Sequence, residues 1–254
     1  PTLRLMIHEQ VCEGCNDCVK QSNCMSLMPV ATEYGQKIRI HQSSCNKDYS
    51  CALGDCPSFV TIQIAAGSGL KRPDTPALPA ASVPLPSQVA PIEKDGYRIL
   101  MPGVGGTGVV TINALLATAA WIEGLSVVTL DQTGTAQKGG AVVSHLTLSR
   151  EPNETPQRIN LGNADLILGF DVMGAASTDN IRCATPGRTA AVLNTNLTPT
   201  IDHIRNREVF GPQSLIDKIE AATTHGRNVH VDASRYAEAL FGSHLMSNVF
   251  LLGV

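Results

Sequence analysis

Seven of the eight cysteines lie between Cys12 and Cys56, at spacings suited to metal ligation. Cys12, Cys15 and Cys18 recur at every third residue, so one short loop can wrap a cubane and offer thiolates to three of its irons. The fourth ligand of such loops is a distant Cys followed by Pro, and Cys56-Pro57 supplies that pair. One 4Fe-4S cluster is therefore expected on Cys12, Cys15, Cys18 and Cys56. An internal repeat predicts a second. Ile7-His8-Glu9-Gln10-Val11-Cys12 is echoed 33 residues later by Ile40-His41-Gln42-Ser43-Ser44-Cys45. The offset lays Cys45 over Cys12 and Cys51 over Cys18, but it lays Asp48 over Cys15. With Cys24 crossing over, the second site is Cys24, Cys45, Cys51 and either Asp48 or nothing at the fourth corner. A carboxylate is a harder, weaker iron ligand than a thiolate, so this corner is labile and the cluster is 4Fe-4S or 3Fe-4S.

Two other uses of these cysteines compete. A disulfide scaffold belongs to an oxidising compartment and does not need a triplet spacing, while zinc favours two Cys pairs over a run of three. Cys183 stands far from the rest and reads as a buried structural thiol.

A different chemistry is written downstream. Gly103-Val104-Gly105-Gly106-Thr107-Gly108 matches the G-x-G-x-x-G pattern, whose glycines let backbone approach a pyrophosphate at a helix N-terminus. Asp131 follows 23 residues after Gly108, near where a dinucleotide fold places the acid that holds a ribose. Read alone, the loop signals NAD or FAD, or a tight turn that binds nothing. A second loop, Thr133-Gly134-Thr135-Ala136-Gln137-Lys138-Gly139-Gly140, is expected at the same sheet edge, with Lys138 available to a phosphate or carboxylate or merely solvated.

These loops need elements to hold them. Arg98–Met101, Ser126–Leu130, Asp165–Leu168, Ala190–Leu193 and Val229–Val231 read as short strands. Thr107–Glu123 reads as a helix, with Val109, Ile112, Leu116, Ala119 and Ile122 at helical spacing and Gly124 as its stop. Strand, helix, strand in this order predicts a right-handed crossover and a largely parallel sheet. Val142–Leu148 alternates in a way that fits an antiparallel or edge strand. The expected organisation is an α+β ferredoxin-like iron-sulfur domain over 1–66, a Pro-rich linker over 67–95, and an α/β domain over 96–254. Six prolines between Gly67 and Pro91 favour extended polyproline geometry for the linker.

Composition bounds the function. A net charge of -3 gives no basic face for nucleic acid, and no apolar run approaches the ~20 residues of a membrane span. Without a secretory leader, the sequence reads as a cytoplasmic protein. Starting at Pro1 and stopping in an apolar pattern, it reads as a segment of something longer.

Taken together, Cys12-Glu13-Gly14-Cys15-Asn16-Asp17-Cys18, Gln42-Ser43-Ser44-Cys45-Asn46-Lys47-Asp48, Cys56-Pro57-Ser58-Phe59-Val60, the glycine loop through Thr111, and Ala136-Gln137-Lys138-Gly139-Gly140-Ala141-Val142 carry a family likeness. The chain resembles the fused indolepyruvate ferredoxin oxidoreductases of the thiamine-diphosphate 2-oxoacid:ferredoxin oxidoreductase family, over nearly its whole length. The resemblance implies a gamma-type domain over 96–254 and an enzyme that decarboxylates an aryl 2-oxoacid on thiamine diphosphate. It also implies that the enzyme passes electrons through its clusters to ferredoxin and yields an acyl-CoA. No Gly-Asp-Gly signature for thiamine and its Mg ion is present, so those cofactors belong to other domains and the segment alone is expected to be inactive on 2-oxoacids. By the same resemblance, Gly103, Gly105, Gly106, Thr107, Gly108, Gln137, Lys138, Gly139 and Gly140 form an anion or CoA surface. The expected partners are ferredoxin, the thiamine-binding domains and further copies in a homo-oligomer. Two competing readings remain: a stand-alone flavin- or NAD(P)-dependent iron-sulfur reductase using Gly103–Gly108, and a ferredoxin-tethered interaction module without catalysis.

Overall fold

The computed structural model describes residues 2–65, 92, 96–135, 139–152, 156–198 and 211–254. Among these, 2–65 form one compact unit, and 96–197 with 211–254 form a second. The expected linker over 67–95 lies, apart from Ile92, outside the described residues.

The N-terminal unit is a structural duplication. It runs through β1 (Leu3–Ile7), α1 (Asp17–Ser22), β2 (Leu27–Thr32), β3 (Gly35–Ile40), a 3-10 turn at Ser50–Ala52, and β4 (Phe59–Gln63). A shift of 33 residues carries β1 onto β3, the start of α1 onto the 3-10 turn, and β2 onto β4. Both strand pairs join one half to the other: β1 is antiparallel to β4, with Leu3 facing Gln63, and β2 to β3, with Leu27 facing Ile40. Leu5, Ile7, Val19, Leu27, Ile38 and Ile40 from both halves fill one core. Pairing of β1 with β4 also brings the ends of the unit together, where the Ile64 N–H donates to the Thr2 carbonyl at 2.6 Å.

The C-terminal unit is built on β5 (Tyr97–Val104), α2 (Val109–Ile122), β6 (Ser126–Thr133), β7 (Ala141–Ser149), β8 (Leu166–Gly169), α3 (Val172–Ala175), α4 (Thr178–Ile181), β9 (Ala190–Asn194), α5 (Gln213–Ala222), β10 (Val229–Val231), α6 (Ala233–Phe241) and α7 (Ser247–Leu252). Its six strands lie in the order β10-β9-β8-β5-β7-β6. β5, β8, β9 and β10 are mutually parallel, whereas β7 is antiparallel to both β5 and β6. The sheet is thus mixed and mostly parallel. The alternating segment expected as an antiparallel or edge strand is antiparallel β7, and it lies inside the sheet, because the hairpin from β6 folds back between β6 and β5.

Alternation along the strands assigns the two faces. Ile99, Met101, Leu146 and Leu168 meet Val109 and Ile112 of α2, Ala233 of α6 and Leu251 of α7. Leu100, Ile167, Ala191 and Leu193 meet Val172 and Ala175 of α3 and Ile216 and Ile219 of α5. Leu100, Met101, Leu146, Ile167 and Leu193 lose all contact with solvent, and each such side chain contributes ~1.5–3 kcal/mol of transfer free energy.

Two expectations about these elements need correction. The strand expected to stop at Met101 continues through Pro102, Gly103 and Val104, so Gly103 belongs to β5 and the turn begins only at Gly105. The inner stripe of α2 is Val109, Ile112, Asn113, Leu116 and Ala120, whereas Ala119 and Ile122 are exposed. An asparagine replaces the apolar residue the periodicity would want, because polar groups on the sheet await it.

Among the described residues, no helix is long and apolar enough to cross a membrane.

Candidate functional site

In the N-terminal unit the loop after β1 turns through Gly14 and Asn16, both in the left-handed region, at φ 68° and 62°. Gly14 is obligatory here: a Cβ on it would sit 2.2 Å from the Gln36 carbonyl oxygen, so no other residue fits beneath β3. The tight turn lets the Gly14 N–H point at the Cys12 sulfur, 3.4 Å away, as a thiolate ligand requires of its loop. Cys12, Cys15, Cys18 and Cys56 all line one cavity of about 260 Å³, together with apolar Ile7, Val11 and Ile38 and with Glu13, Asp17 and Asp55. The Cys56 sulfur also lies 2.9 Å from the Ser58 hydroxyl. Burial, with the neighbouring Cys12, Cys51 and Cys15 thiolates adding to it, pushes the Cys18 thiol up to about 12. Bare thiolates are costly together in this site, and the positive charge of bound iron would offset them. An all-thiolate donor set and a glycine-only cradle fit an iron-sulfur cluster.

The second loop repeats this backbone. Lys47 and Tyr49 take φ 64° and 59°, the positions that a shift of 33 residues maps from Gly14 and Asn16. Cys24, Cys45 and Cys51 pack against the same core. Burial, then the Cys24 and Cys45 thiolates, pushes the Cys51 thiol up to about 11, with Asp48 contributing in the same direction. Asp48 itself is exposed and held within its loop: one oxygen accepts from the Ser50 N–H at 3.1 Å and the Ser50 hydroxyl at 2.8 Å, the other from the Asn46 amide at 2.7 Å.

In the C-terminal unit the glycine loop joins β5 to α2 at a reversal of strand order: the chain leaves β5 toward β6 on one side, while β8 lies on the other. A Cβ on Gly103 would meet Val109 at 2.5 Å and Phe170 at 3.2 Å, so this glycine permits close packing of helix on strand. Gly106 and Gly108 take φ 86° and 93°. Both glycine-rich loops meet here, since the Gly105 N–H donates to the Gly140 carbonyl at 2.7 Å and the Gly139 N–H to the Gly105 carbonyl at 3.4 Å. Together Gly105, Gly106, Gly108, Thr133, Gly134 and Thr135 border a cleft of about 570 Å³. The first N–H groups of α2, at Val109 and Val110, have no intrahelical acceptor and line the same cleft, a favourable setting for negative charge. Gln137 and Lys138 lie outside the described residues.

Several residues of this unit escape sequence reasoning. Asn248 of α7 donates to the Thr107 carbonyl at 3.0 Å and fastens the glycine loop from 141 positions away. His145, 2% exposed, accepts from the Ile159 N–H on Nδ1 at 3.3 Å and faces the Gln132 carbonyl oxygen with Nε2 at 3.1 Å. Nε2 therefore carries the proton and the ring is neutral. Burial, reinforced by the Arg158 charge, lowers its pKa to about 4. Asp171, two residues beyond β8, caps α3 by accepting from the Gly174 N–H at 2.7 Å, and burial raises its pKa to about 6. Its other oxygen has no partner among the described residues. Cys183 is buried, with its sulfur near the carbonyls of Ile159 and Asp179. Nothing in the spacing of these residues announces them, because their partners come from distant segments.

Asp131 corrects an expectation. It lies within β6 rather than at its end, and its carboxylate accepts from the Asn113 amide at 2.9 Å and from the Ser144 hydroxyl. These contacts tie α2 to the sheet. Moreover, antiparallel β7 separates β6 from β5, which sets Asp131 two strand spacings, roughly 10 Å, from the strand that carries the glycine loop.

Comparison with known proteins adds a lineage to this geometry. The family described as pyruvate ferredoxin/flavodoxin oxidoreductase matches residues 98–254. The chain is 31% identical over 169 residues to the indolepyruvate oxidoreductase subunit IorB of Archaeoglobus fulgidus, covering 62% of this chain and 74% of that protein. Against IorB of Methanothermobacter thermautotrophicus it is 27% identical over 162 residues, covering 62% and 76%. Among solved structures, pyruvate oxidoreductase subunit PORC from Thermotoga maritima aligns at TM-score 0.43 and 18% identity, over 61% of this chain and 72% of that one. The 2-oxoglutarate:ferredoxin oxidoreductase from Magnetococcus marinus aligns at TM-score 0.46 and 21% identity, over 61% and 23%. With the matched region running from β5 to the last helix and taking in more than half of the sequence, the chain belongs to the pyruvate ferredoxin/flavodoxin oxidoreductase family.

Proposed function

We propose that this chain couples a ferredoxin-like iron-sulfur relay to the gamma-type unit of a 2-oxoacid:ferredoxin oxidoreductase. The observation that carries the relay is the convergence of Cys12, Cys15, Cys18 and Cys56 on one cavity in a unit that repeats the same loop around Cys24, Cys45 and Cys51. Clusters held there would supply one-electron carriers. The residues of the chain do the rest: thiolates ligate and the Gly14 N–H steadies a ligand sulfur. On this reading the substrate is an aryl 2-oxoacid such as indolepyruvate, and the acceptor is ferredoxin. Thiamine diphosphate and its Mg ion sit in other domains of a cytoplasmic homo-oligomer. The kinship with IorB subunits supports the substrate class. The cleft at the head of α2, with its helix-start N–H groups and two apposed glycine loops, suits a diphosphate and is assigned to CoA.

A nicotinamide or flavin reductase fits less well. The acid that would hold a ribose is Asp131, whose Oδ1 already accepts from Asn113 and Ser144, and β7 lies between its strand and the one that carries the glycine loop.

The test uses the full chain, purified anaerobically. Reduction by dithionite should bleach its visible absorption, and the reduced chain should pass electrons to ferredoxin or a viologen dye. Incubation with indolepyruvate, CoA, thiamine diphosphate and Mg ions should give no turnover, because no side chain here is a carbanion sink. A chain that stays colourless and free of iron after reconstitution removes the relay, and turnover above a protein-free control removes the division of labour.

A further inference from the structure

The second cysteine loop has kept its shape while losing a ligand. Holding Lys47 and Tyr49 in the left-handed region costs roughly 1–2 kcal/mol for each residue that is not glycine, and a loop with no task would relax. Cys24, Cys45 and Cys51 remain on the core; Cys45 and Cys51 correspond to Cys12 and Cys18, and Cys24 crosses over from the first half as Cys56 does from the second. The one position that departs is Asp48, in the place of Cys15. Three hydrogen bonds from Asn46 and Ser50 reach its carboxylate and use both of its oxygens. To reach iron, the carboxylate would have to give up charge-assisted bonds to a backbone N–H, a hydroxyl and an amide, in exchange for a bond to a metal that prefers sulfur in such a site.

Resting on the iron-sulfur reading above, we infer that the second site is a three-thiolate site: Cys24, Cys45 and Cys51 hold a 3Fe-4S cluster, and Asp48 shapes the loop without binding metal. The vacant corner faces solvent, since Asp48 is exposed and so is Cys15, its counterpart in the first loop. Asp48 thus replaces the missing ligand structurally, by fixing the turn that Tyr49 and Ser50 complete, and leaves the chemistry to three sulfurs.

The experiment counts iron and unpaired electrons in the full chain, prepared anaerobically, alongside Asp48→Asn and Asp48→Cys. Electron parity separates the two cluster types. Three ferric ions carry an odd number of d electrons and must be paramagnetic, whereas two ferric and two ferrous ions carry an even number and pair to a silent state. The native chain should hold about seven irons and give a paramagnetic signal when oxidised. Asp48→Asn should match it in both, since the amide keeps an acceptor for Ser50. Asp48→Cys should gain about one iron and lose the oxidised signal. A native chain with about eight irons overturns the inference, whether or not Asp48→Asn then sheds one. About four irons overturns the second site while leaving the first cluster and the relay intact. An iron-free chain overturns the relay itself.

Discussion

His145 and Asp171 set two opposing pH dependences into one unit, and single substitutions should expose each. His145 has a folded pKa of about 4 against 6.5 for the free group, so the unfolded chain binds more protons between these values and stability falls as the pH drops through them. Asp171 has a folded pKa of about 6 against 3.8, so the folded chain holds the extra proton and stability rises as the pH drops through that window. At 1.36 kcal/mol per pKa unit each limit is about 3 kcal/mol, an upper bound that relaxation of the folded chain around the charged group lowers to roughly half. Their slopes nearly cancel in the native chain. His145→Gln, which can both accept from Ile159 and donate to Gln132, should therefore gain roughly 1–2 kcal/mol between pH 7 and pH 4 relative to the native chain. Asp171→Asn should lose about as much over the same range. Differential scanning calorimetry of the three proteins across this range gives the comparison, and titrations common to all three drop out of the differences. If both variants keep the native slope, or if their deviations share a sign, the buried, oppositely shifted pair is refuted.

Two further substitutions probe the sites. Gly14→Ala places a Cβ 2.2 Å from the Gln36 carbonyl at a positive φ, so the first loop must leave β3; iron analysis should show a loss of about four irons with the second site retained. Asn248→Ala strips the Thr107 carbonyl of its donor and should cost about 1–3 kcal/mol in thermal unfolding. By loosening the loop it should also weaken CoA binding in calorimetric titration while leaving cluster spectra unchanged; CoA affinity at the native value would detach the latch from the cleft.

Much of this molecule is legible in its sequence, because local signals carry it. The cysteine triplet, the 33-residue echo and the strand-loop-helix around Gly103–Gly108 each lie within one short stretch, and each corresponds to a loop or element of the structure. What escaped detection depends on partners far apart in the chain. The alternation of Val142–Leu148 identifies a strand, but its place between β5 and β6 is decided by a hairpin closing back on the sheet. Asp131 looks like a ribose ligand by spacing alone; Asn113 and Ser144 determine that it is a structural tie. Asn248 finds Thr107 only after the whole sheet has formed.

The interlocked halves of the N-terminal unit have a consequence for how such a unit travels between proteins. Neither half can fold alone, because every strand takes its partner from the other half. Yet Thr2 and Ile64 touch, so the unit behaves like a plug with both leads on the same side. A unit of this kind can be spliced into a surface loop of an unrelated host without prying the host apart. The two leads can also be joined and the chain reopened at the turn between β2 and β3, giving a circular permutant that keeps every cysteine in place.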